Sequence, residues 1–248
     1  MSPTPTIHRL GDAMVNFWLV TTPDGLTLID AGLPAHWPAF TAAVQGLGRR
    51  VEEIVAVLIT HAHADHLGLA ARVQLVSAAT VWIHADDAAL AAEPRAVRRH
   101  AKPERAVLPY LLRHPTAVRA PVHMIRNGMT ATAPIAEVRN FTDGQRLDVP
   151  GSPTAIHTPG HTPGSTTFLL PEAGVAFTGD TLVTSDAIGH RQGPTAICRG
   201  VTHDSGAAID SLRRLATVDA DTVLPGHGQP WAAGLAAAAA IAANAGVL

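Results

Sequence analysis

The segment from Thr60 to His66, THAHADH, contains three histidines and an aspartate separated only by alanines. His61 and His63 lie two positions apart, so on an extended chain their rings point the same way and can bind one metal ion. Asp65 and His66 stand where the chain turns into the next predicted helix, where they can face a second metal ion. The clustering predicts a metal site, because an ordinary polar loop does not require three histidines and an aspartate within six residues.

Three further potential ligands each follow a run of β-forming residues and stand beside a glycine. They are His161 in TPGHTPGS, Asp180 in FTGDT and His227 in LPGHG. Strand ends on one rim of a sheet are where side chains converge into binding sites. Each of these segments alone is weak support for a metal site. Together with THAHADH they make four segments, and the four in this order predict one common site.

The elements that must position these ligands can be read from the hydrophobic pattern. Strands are predicted at 15–21, 26–29, 54–59, 80–84, 122–125, 136–140, 153–157, 165–170, 175–178 and 222–224. Helices are predicted at 38–47, 67–78, 86–92 and 205–216, and in the alanine-rich tail after Trp231. Two batches of strands, each closed by helices, predict an α/β protein with a four-layer αββα sandwich. We expect one domain over residues 1–248.

Residues 93–120 interrupt this pattern with Arg, Pro, His and Ala, and we interpret them as a helical insertion or lid. Tyr110, the only tyrosine, is a candidate for an apolar substrate pocket, although core packing is an alternative. The segment also holds a basic cluster that is suited to an anionic group or to a solvated helix face: Arg95, Arg98, Arg99, Lys102 and Arg105.

The stretch 182–203 after Asp180 is predicted to be a loop. Its polar residues nearest to that aspartate are predicted substrate contacts: Ser185, Asp186, His190 and Arg191.

The composition indicates which binding partners and which cellular compartment to expect. A formal net charge of -2 over 248 residues gives no reason to expect nucleic acid or an anionic membrane as partner. The single cysteine, Cys198, excludes an internal disulfide and suits a reducing compartment. Residues 1–12 show no signal-peptide pattern, so we expect a cytoplasmic protein that binds a small molecule. A homodimer is compatible with this composition.

The four ligand segments resemble the motif set of the metallo-β-lactamase superfamily, in its branch of glyoxalase II and quorum-quenching lactonases. The resemblance runs from about Val15 to His227 and implies the same αββα fold. It places His61, His63 and His161 on a first metal ion. It places Asp65, His66 and His227 on a second, with Asp180 bridging the two. Asp30 matches an Asp-x-Gly motif of the family and would support the ligands from behind.

The resemblance implies a hydrolase that uses a hydroxide shared by two divalent metal ions, most readily Zn²⁺, with iron or manganese as alternatives. Asp65 would also orient the nucleophile or carry a proton. The expected substrate is a small molecule with a scissile carbonyl, in a carboxylic ester, lactone or thioester.

Departures from the known branches narrow this expectation. The tail after His227 lacks Lys and Arg, unlike the glutathione-binding domain of glyoxalase II. Val183 stands where the best-known homoserine lactonases have a tyrosine. Two alternatives stay open: a mononuclear iron oxidoreductase resembling persulfide dioxygenases, and a non-catalytic member of the family.

Overall fold

The computed structural model describes residues 4–135 and 137–248, and its larger sheet has six strands in sequence order. They are β1 (Thr6–Gly11), β2 (Asn16–Thr22), β3 (Gly25–Ile29), β4 (Ile54–Leu58), β5 (Thr80–His84) and β6 (Arg139–Phe141). β1 to β3 form an antiparallel meander, and β3 to β6 are parallel. The parallel pairs end at the same edge, which is where ligands usually bind.

The second sheet has four strands in the order β12-β9-β8-β7, and a separate hairpin follows Asp180. The four strands are β7 (Thr154–His157), β8 (Thr166–Leu170), β9 (Val175–Gly179) and β12 (Thr222–Pro225), and the hairpin is β10 (Val183–Asp186) with β11 (Arg191–Thr195). β12 pairs parallel with β9, whereas β7, β8 and β9 are antiparallel.

The two sheets pack face to face across a shared apolar core. Trp18 and Leu58 from the first sheet and Phe168 and Phe177 from the second belong to one buried cluster. The ring centroids of Trp18 and Phe177 are 6.2 Å apart. Burial of large aromatic and aliphatic side chains between the sheets is therefore what fixes their mutual position.

Helices cover the outer faces of both sheets. Those over the first are α1 (Trp37–Gly46), α2 (Ala64–Leu67), α3 (Ala70–Ser77) and α4 (Ala85–Ala92); those over the second are α8 (Ser205–Leu215) and α9 (Leu235–Ala245). A further helical stretch contains α5 (Val97–His100), α6 (Leu108–Arg113) and α7 (Arg119–Arg126). The predicted αββα layering is confirmed. Within the described residues, no helix combines the length and the apolar character that crossing a membrane needs.

The strand predicted at 122–125 is wrong, because these residues belong to helix α7. Val122 and Ile125 are exposed, whereas Ala120 is buried. That spacing is helical, and the short run of apolar residues was indistinguishable from a strand by periodicity alone. Of the strand predicted at 136–140, Ala136 lies outside the described residues, and β6 begins at Arg139.

Other boundaries also differ from the predictions. The loop predicted at 182–203 contains the β10–β11 hairpin, and β1 has no counterpart among the predictions. The helix predicted at 67–78 starts anew at Ala70, because the backbone N–H of Gly68 donates to Gly32 O at 2.8 Å. Residues 1–3, part of the stretch tested for a signal peptide, lie outside the described residues.

Candidate metal centre

Strand ends from both sheets bring the seven predicted ligands to one edge of the sandwich. His61 and His63 follow β4, and Asp65 and His66 lie in the first turn of α2. The other three, His161, Asp180 and His227, follow β7, β9 and β12. His66 is fully buried and Asp180 is 5 % exposed. The side chains are therefore held in a site that is largely withdrawn from solvent.

The potential ligand atoms form two groups that meet at Asp180. Within each group the atoms lie within 4.8 Å of one another, in the sets His61–His63–His161 and Asp65–His66–His227, and a third set joins His61, His66 and Asp180. Asp180 Oδ2 is 3.4 Å from His161 Nε2 and 3.2 Å from His227 Nε2. The carboxylate thus lies between the two groups.

The second ring nitrogen of several histidines is already engaged, which fixes the orientation of each ring. His66 Nδ1 lies 2.8 Å from Asp30 Oδ2, and His61 Nδ1 lies 3.2 Å from Thr60 Oγ1. His227 Nδ1 donates to the carbonyl oxygen of Met14 at 2.5 Å. Each of these contacts leaves Nε2 to face the centre, as metal-binding histidines require.

Asp30 supports the site from behind, where the sequence places it. Its Oδ1 accepts a hydrogen bond from the Thr60 backbone N–H at 2.8 Å, and its Oδ2 contacts His66. Asp30 has a φ of 58°, in the left-handed region that a non-glycine residue rarely occupies. Backbone strain of this kind persists where surrounding contacts enforce it, and it concentrates at functional sites.

Asp87, on α4, ties together the two loops that carry His61, His63 and His161. Its Oδ2 accepts hydrogen bonds from the backbone N–H of Ala62 (2.9 Å) and from Thr162 Oγ1 (2.7 Å). Its Oδ1 accepts one from the backbone N–H of Gly164 at 2.7 Å. Asp87 is 1 % exposed, and sequence reasoning missed it, since an aspartate at a helix start ordinarily caps that helix.

Several buried polar atoms of the set have no hydrogen-bond partner among the described residues. They are His61 Nε2, His66 Nε2 and Asp180 Oδ1, whose residues form one group of potential ligands. Burying an unpaired polar atom costs about 1–3 kcal/mol, so several together in one place indicate a missing binding partner. Imidazole and carboxylate donors suit zinc, iron, manganese or cobalt ions. The residues present therefore fit metal ions.

The electrostatics of the two groups differ. Burial, reinforced by neighbouring imidazoles, lowers the pKa of His61 and lowers that of His161 to about 3. Burial also disfavours charge on His66 and His227, but nearby carboxylates outweigh it and hold the pKa of each ring well above its usual value: Asp30 and Asp180 act on His66, and Asp180 and Asp65 act on His227. The first group consequently offers neutral nitrogens, and the second is an imidazolium–carboxylate cluster.

A cavity of about 530 Å³ opens beside the centre and reaches His63, Asp65, His161, Asp180 and His227. Its other walls are largely apolar, and they include Met14, Val107, Met124, Met129, Ile188 and Ile197. Val107, Met124 and Met129 come from the helical stretch between β5 and β6, which includes the predicted insertion at 93–120. The role of that insertion as a lid stays a prediction. The three methionines were missed, because nothing in their local sequence points to a pocket.

The predicted substrate contacts separate into two sets. Ser185 and Asp186 line the cavity, but the Asp186 carboxylate already accepts hydrogen bonds from the backbone N–H groups of Gly189 (2.8 Å) and Cys198 (2.9 Å). Asp186 therefore shapes the loop after β10 rather than offering a free carboxylate. Cys198, which follows β11, is fully buried.

The other three predicted contacts have partners away from the cavity. Tyr110 donates its hydroxyl proton to Leu248 O at 2.7 Å, and Arg191 donates to Gly246 O at 2.6 Å. His190 stacks on His114 with ring centroids 4.6 Å apart. These side chains hold the C-terminus and the hairpin, a function that their position in the sequence does not reveal.

The chain is similar in sequence to known proteins over most of its length. The family model of the metallo-beta-lactamase superfamily matches residues 10–227. The uncharacterized protein YobT of Bacillus subtilis is 30 % identical over 221 residues, which cover 87 % of this chain and 83 % of YobT. The probable metallo-hydrolase YflN of the same organism is 24 % identical over 246 residues, covering 90 % of this chain and 84 % of YflN.

Solved structures share the architecture. The crystal structure of TTHA1623 in a di-iron-bound form superposes with a TM-score of 0.63 at 28 % sequence identity, covering 94 % of this chain and 96 % of that one.

Proposed function

Because the chain belongs to the metallo-beta-lactamase superfamily and is a metal-dependent hydrolase, we propose that it binds two divalent metal ions and cleaves a carboxylic ester, lactone or thioester. His61, His63 and His161 would hold one ion, and Asp65, His66 and His227 the other. The observation that carries the proposal is the Asp180 carboxylate, which lies within 3.4 Å of a histidine from each group. One shared carboxylate between two donor sets is the arrangement that two cations need.

When bound, the ions would lower the pKa of a water molecule and polarise the scissile carbonyl. The protein residues supply the rest of the chemistry. Asp65 Oδ2 lies 3.4 Å from His227 Nε2. Burial opposes ionisation of Asp65, but His66 and His227 outweigh it and lower its pKa. Asp65 is therefore an ionised carboxylate at the cavity floor, placed to orient an attacking water molecule through its oxygen atoms.

The cavity supports a substrate with an apolar group. Met14, Met124 and Met129 contribute flexible, polarizable side chains to the cavity that the ligand residues also line. About 530 Å³ is within the range of small-molecule sites. An acyl or aryl group in this space would leave its carbonyl over Asp65 and Asp180, which also line the cavity. Val183 stands where the best-known homoserine lactonases have a tyrosine, so this position does not single out a lactone over a carboxylic ester or a thioester.

A substrate panel tests the bond type. The zinc-loaded protein would be assayed with acyl lactones, aryl esters, thioesters, β-lactams and phosphodiesters. We expect turnover of one or more carbonyl substrates, with KM falling as the apolar group grows to fill the cavity. Turnover of phosphodiesters alone would contradict the proposal, as would a KM that does not respond to the size of the apolar group.

A further inference from the structure

Charge is strongly segregated along this chain. Residues 93–126 hold eight of its 18 Lys and Arg but two of its 20 Asp and Glu. The segment thus carries a formal charge of +6, whereas the remaining residues sum to -8, and the total of -2 conceals both. A basic patch of this size is an electrostatic feature in its own right.

The same segment exposes large apolar side chains on α6 and on the stretch that leads into α7. Leu108 and Leu112 lie one turn apart on α6 and are 61 % and 73 % exposed. Val118 ends the 3-10 turn that runs directly into α7, and with Val122 and Ile125 it follows the spacing i, i+4, i+7 along one helical face. These three are 46 %, 40 % and 55 % exposed.

Exposed arginines accompany these apolar side chains. Arg113 ends α6, while Arg119 and Arg126 lie three residues before and four after Val122, on the same side of α7. We call this surface the basic-apolar face; it comprises Leu108, Leu112, Arg113, Val118, Arg119, Val122, Ile125 and Arg126.

The opposite side of α7 has different partners. Met124 lines the cavity, and His123 Nε2 lies 2.7 Å from Asp12 Oδ2. Helix α7 therefore has an inner side committed to the protein and an outer side with charged and apolar groups in contact with solvent.

We propose that the basic-apolar face docks on an anionic lipid surface. Short amphipathic helices with leucine or isoleucine beside arginine bind the interface of anionic bilayers, where apolar side chains enter the headgroup region and arginines meet phosphates. A second copy of this chain suits the face poorly, because a two-fold contact would bring the positive segment against itself. The expectation of no membrane partner, which rested on the net charge of the whole chain, is revised by this local charge.

The segment that carries the basic-apolar face also lines the cavity beside the metal centre. Val107, Pro121 and Met124 from the same segment line the apolar cavity beside the metal centre. The segment that would dock on the lipid thus also forms part of the cavity wall beside the ligand residues. Docking itself does not depend on which bond the protein cleaves, so it is tested without a turnover assay.

Vesicle flotation with the full, zinc-loaded chain tests the proposal. We expect binding to phosphatidylcholine vesicles that contain phosphatidylglycerol, and little binding to phosphatidylcholine alone. Binding should weaken at about 1 M salt, where the screening length falls to about 3 Å. Equal binding to the two kinds of vesicle, or no binding to either, would overturn the proposal. Binding to soluble polyglutamate without binding to vesicles would point to an acidic protein partner and overturn it as well.

Variants locate the contact on the protein. Arg119→Gln and Arg126→Gln should each lower the partition coefficient on anionic vesicles roughly fivefold. Arg50→Gln, an exposed arginine outside the segment, is the control and should leave it unchanged.

The apolar contribution has its own variant and control. The double variant Leu108→Ser/Leu112→Ser should lower binding roughly tenfold, whereas Leu75→Ser on α3, where the leucine is 85 % exposed, should not. Circular dichroism would establish that each variant is folded. If folded face variants bind as tightly as the wild type, or if the controls lose as much binding, the face is not the docking surface.

Discussion

Asp87→Asn tests whether one buried carboxylate holds the two loops that carry His61, His63 and His161. Asp87 accepts three hydrogen bonds, one on Oδ1 and two on Oδ2. Asparagine keeps one acceptor oxygen and places an NH₂ group at the other position, where it faces an N–H donor. At least one buried donor then loses its partner, which costs about 1–3 kcal/mol.

That cost should appear in both metal binding and stability. Loss of a residue that orients metal ligands typically lowers metal affinity about 10–100-fold, which corresponds to about 1.4–2.8 kcal/mol and agrees with the cost above. The metal-free protein should also unfold roughly 2–12 °C lower.

Competition with a chromophoric zinc chelator measures the affinity, and calorimetry measures the melting temperature. Asp24→Asn is the control, because Asp24 is exposed and belongs to none of the groups of potential metal ligands. If Asp87→Asn retains wild-type zinc affinity and melting temperature, Asp87 does not tie the loops together and this interpretation fails.

Three further predictions concern protonation, the cavity and the cysteine. Zinc binding to the metal-free protein should release protons, because the raised pKa values of His66 and His227 keep both rings protonated until a cation displaces the proton. The affinity for zinc should therefore rise from about pH 6 to about pH 8. Calorimetry in buffers of different ionisation enthalpy would detect the proton release, and identical binding heats in all buffers would contradict it. Met124→Ala should raise KM for the preferred substrate roughly 5–30-fold with little change in kcat, since it removes apolar contact from the cavity wall. Ile125→Ala, on the exposed side of the same helix, should leave both constants unchanged. Equal effects of the two substitutions would show that Met124 is not part of the substrate cavity. Cys198 is fully buried and burial raises the pKa of its thiol to about 12, so a thiol reagent should label it only after unfolding; rapid labelling of the native protein would contradict its placement.

The sequence predicted the sandwich because the predicted strands at 26–29, 54–59 and 175–178 are runs of β-forming residues with polar or turn residues at their ends. It located the ligand residues because metal binding requires particular side chains beside strand ends. Those requirements are local, and they can be read one segment at a time.

The rest depends on long-range contacts. The hydrogen bonds of Asp87 join residues 62, 162 and 164, and no local pattern announces such a pairing. Residues 122–125 of helix α7 resemble a strand in the sequence because their apolar run is short. Tyr110 and Arg191 were assigned to the substrate although both donate to the C-terminal backbone, a partner distant from either in sequence. The basic segment at 93–126 was visible in composition, but the net charge of the whole chain obscured it.

Zinc titration of the metal-free protein, followed by native mass spectrometry, tests the proposed pair of metal ions most directly. We expect saturation at two zinc ions per chain, and hydrolysis of the preferred substrate that grows with the doubly loaded species. In Asp180→Asn the doubly loaded species should be lost, since the shared carboxylate is weakened. Saturation of the wild-type protein at one ion, or a single bound iron accompanied by oxygen uptake, would contradict the proposal.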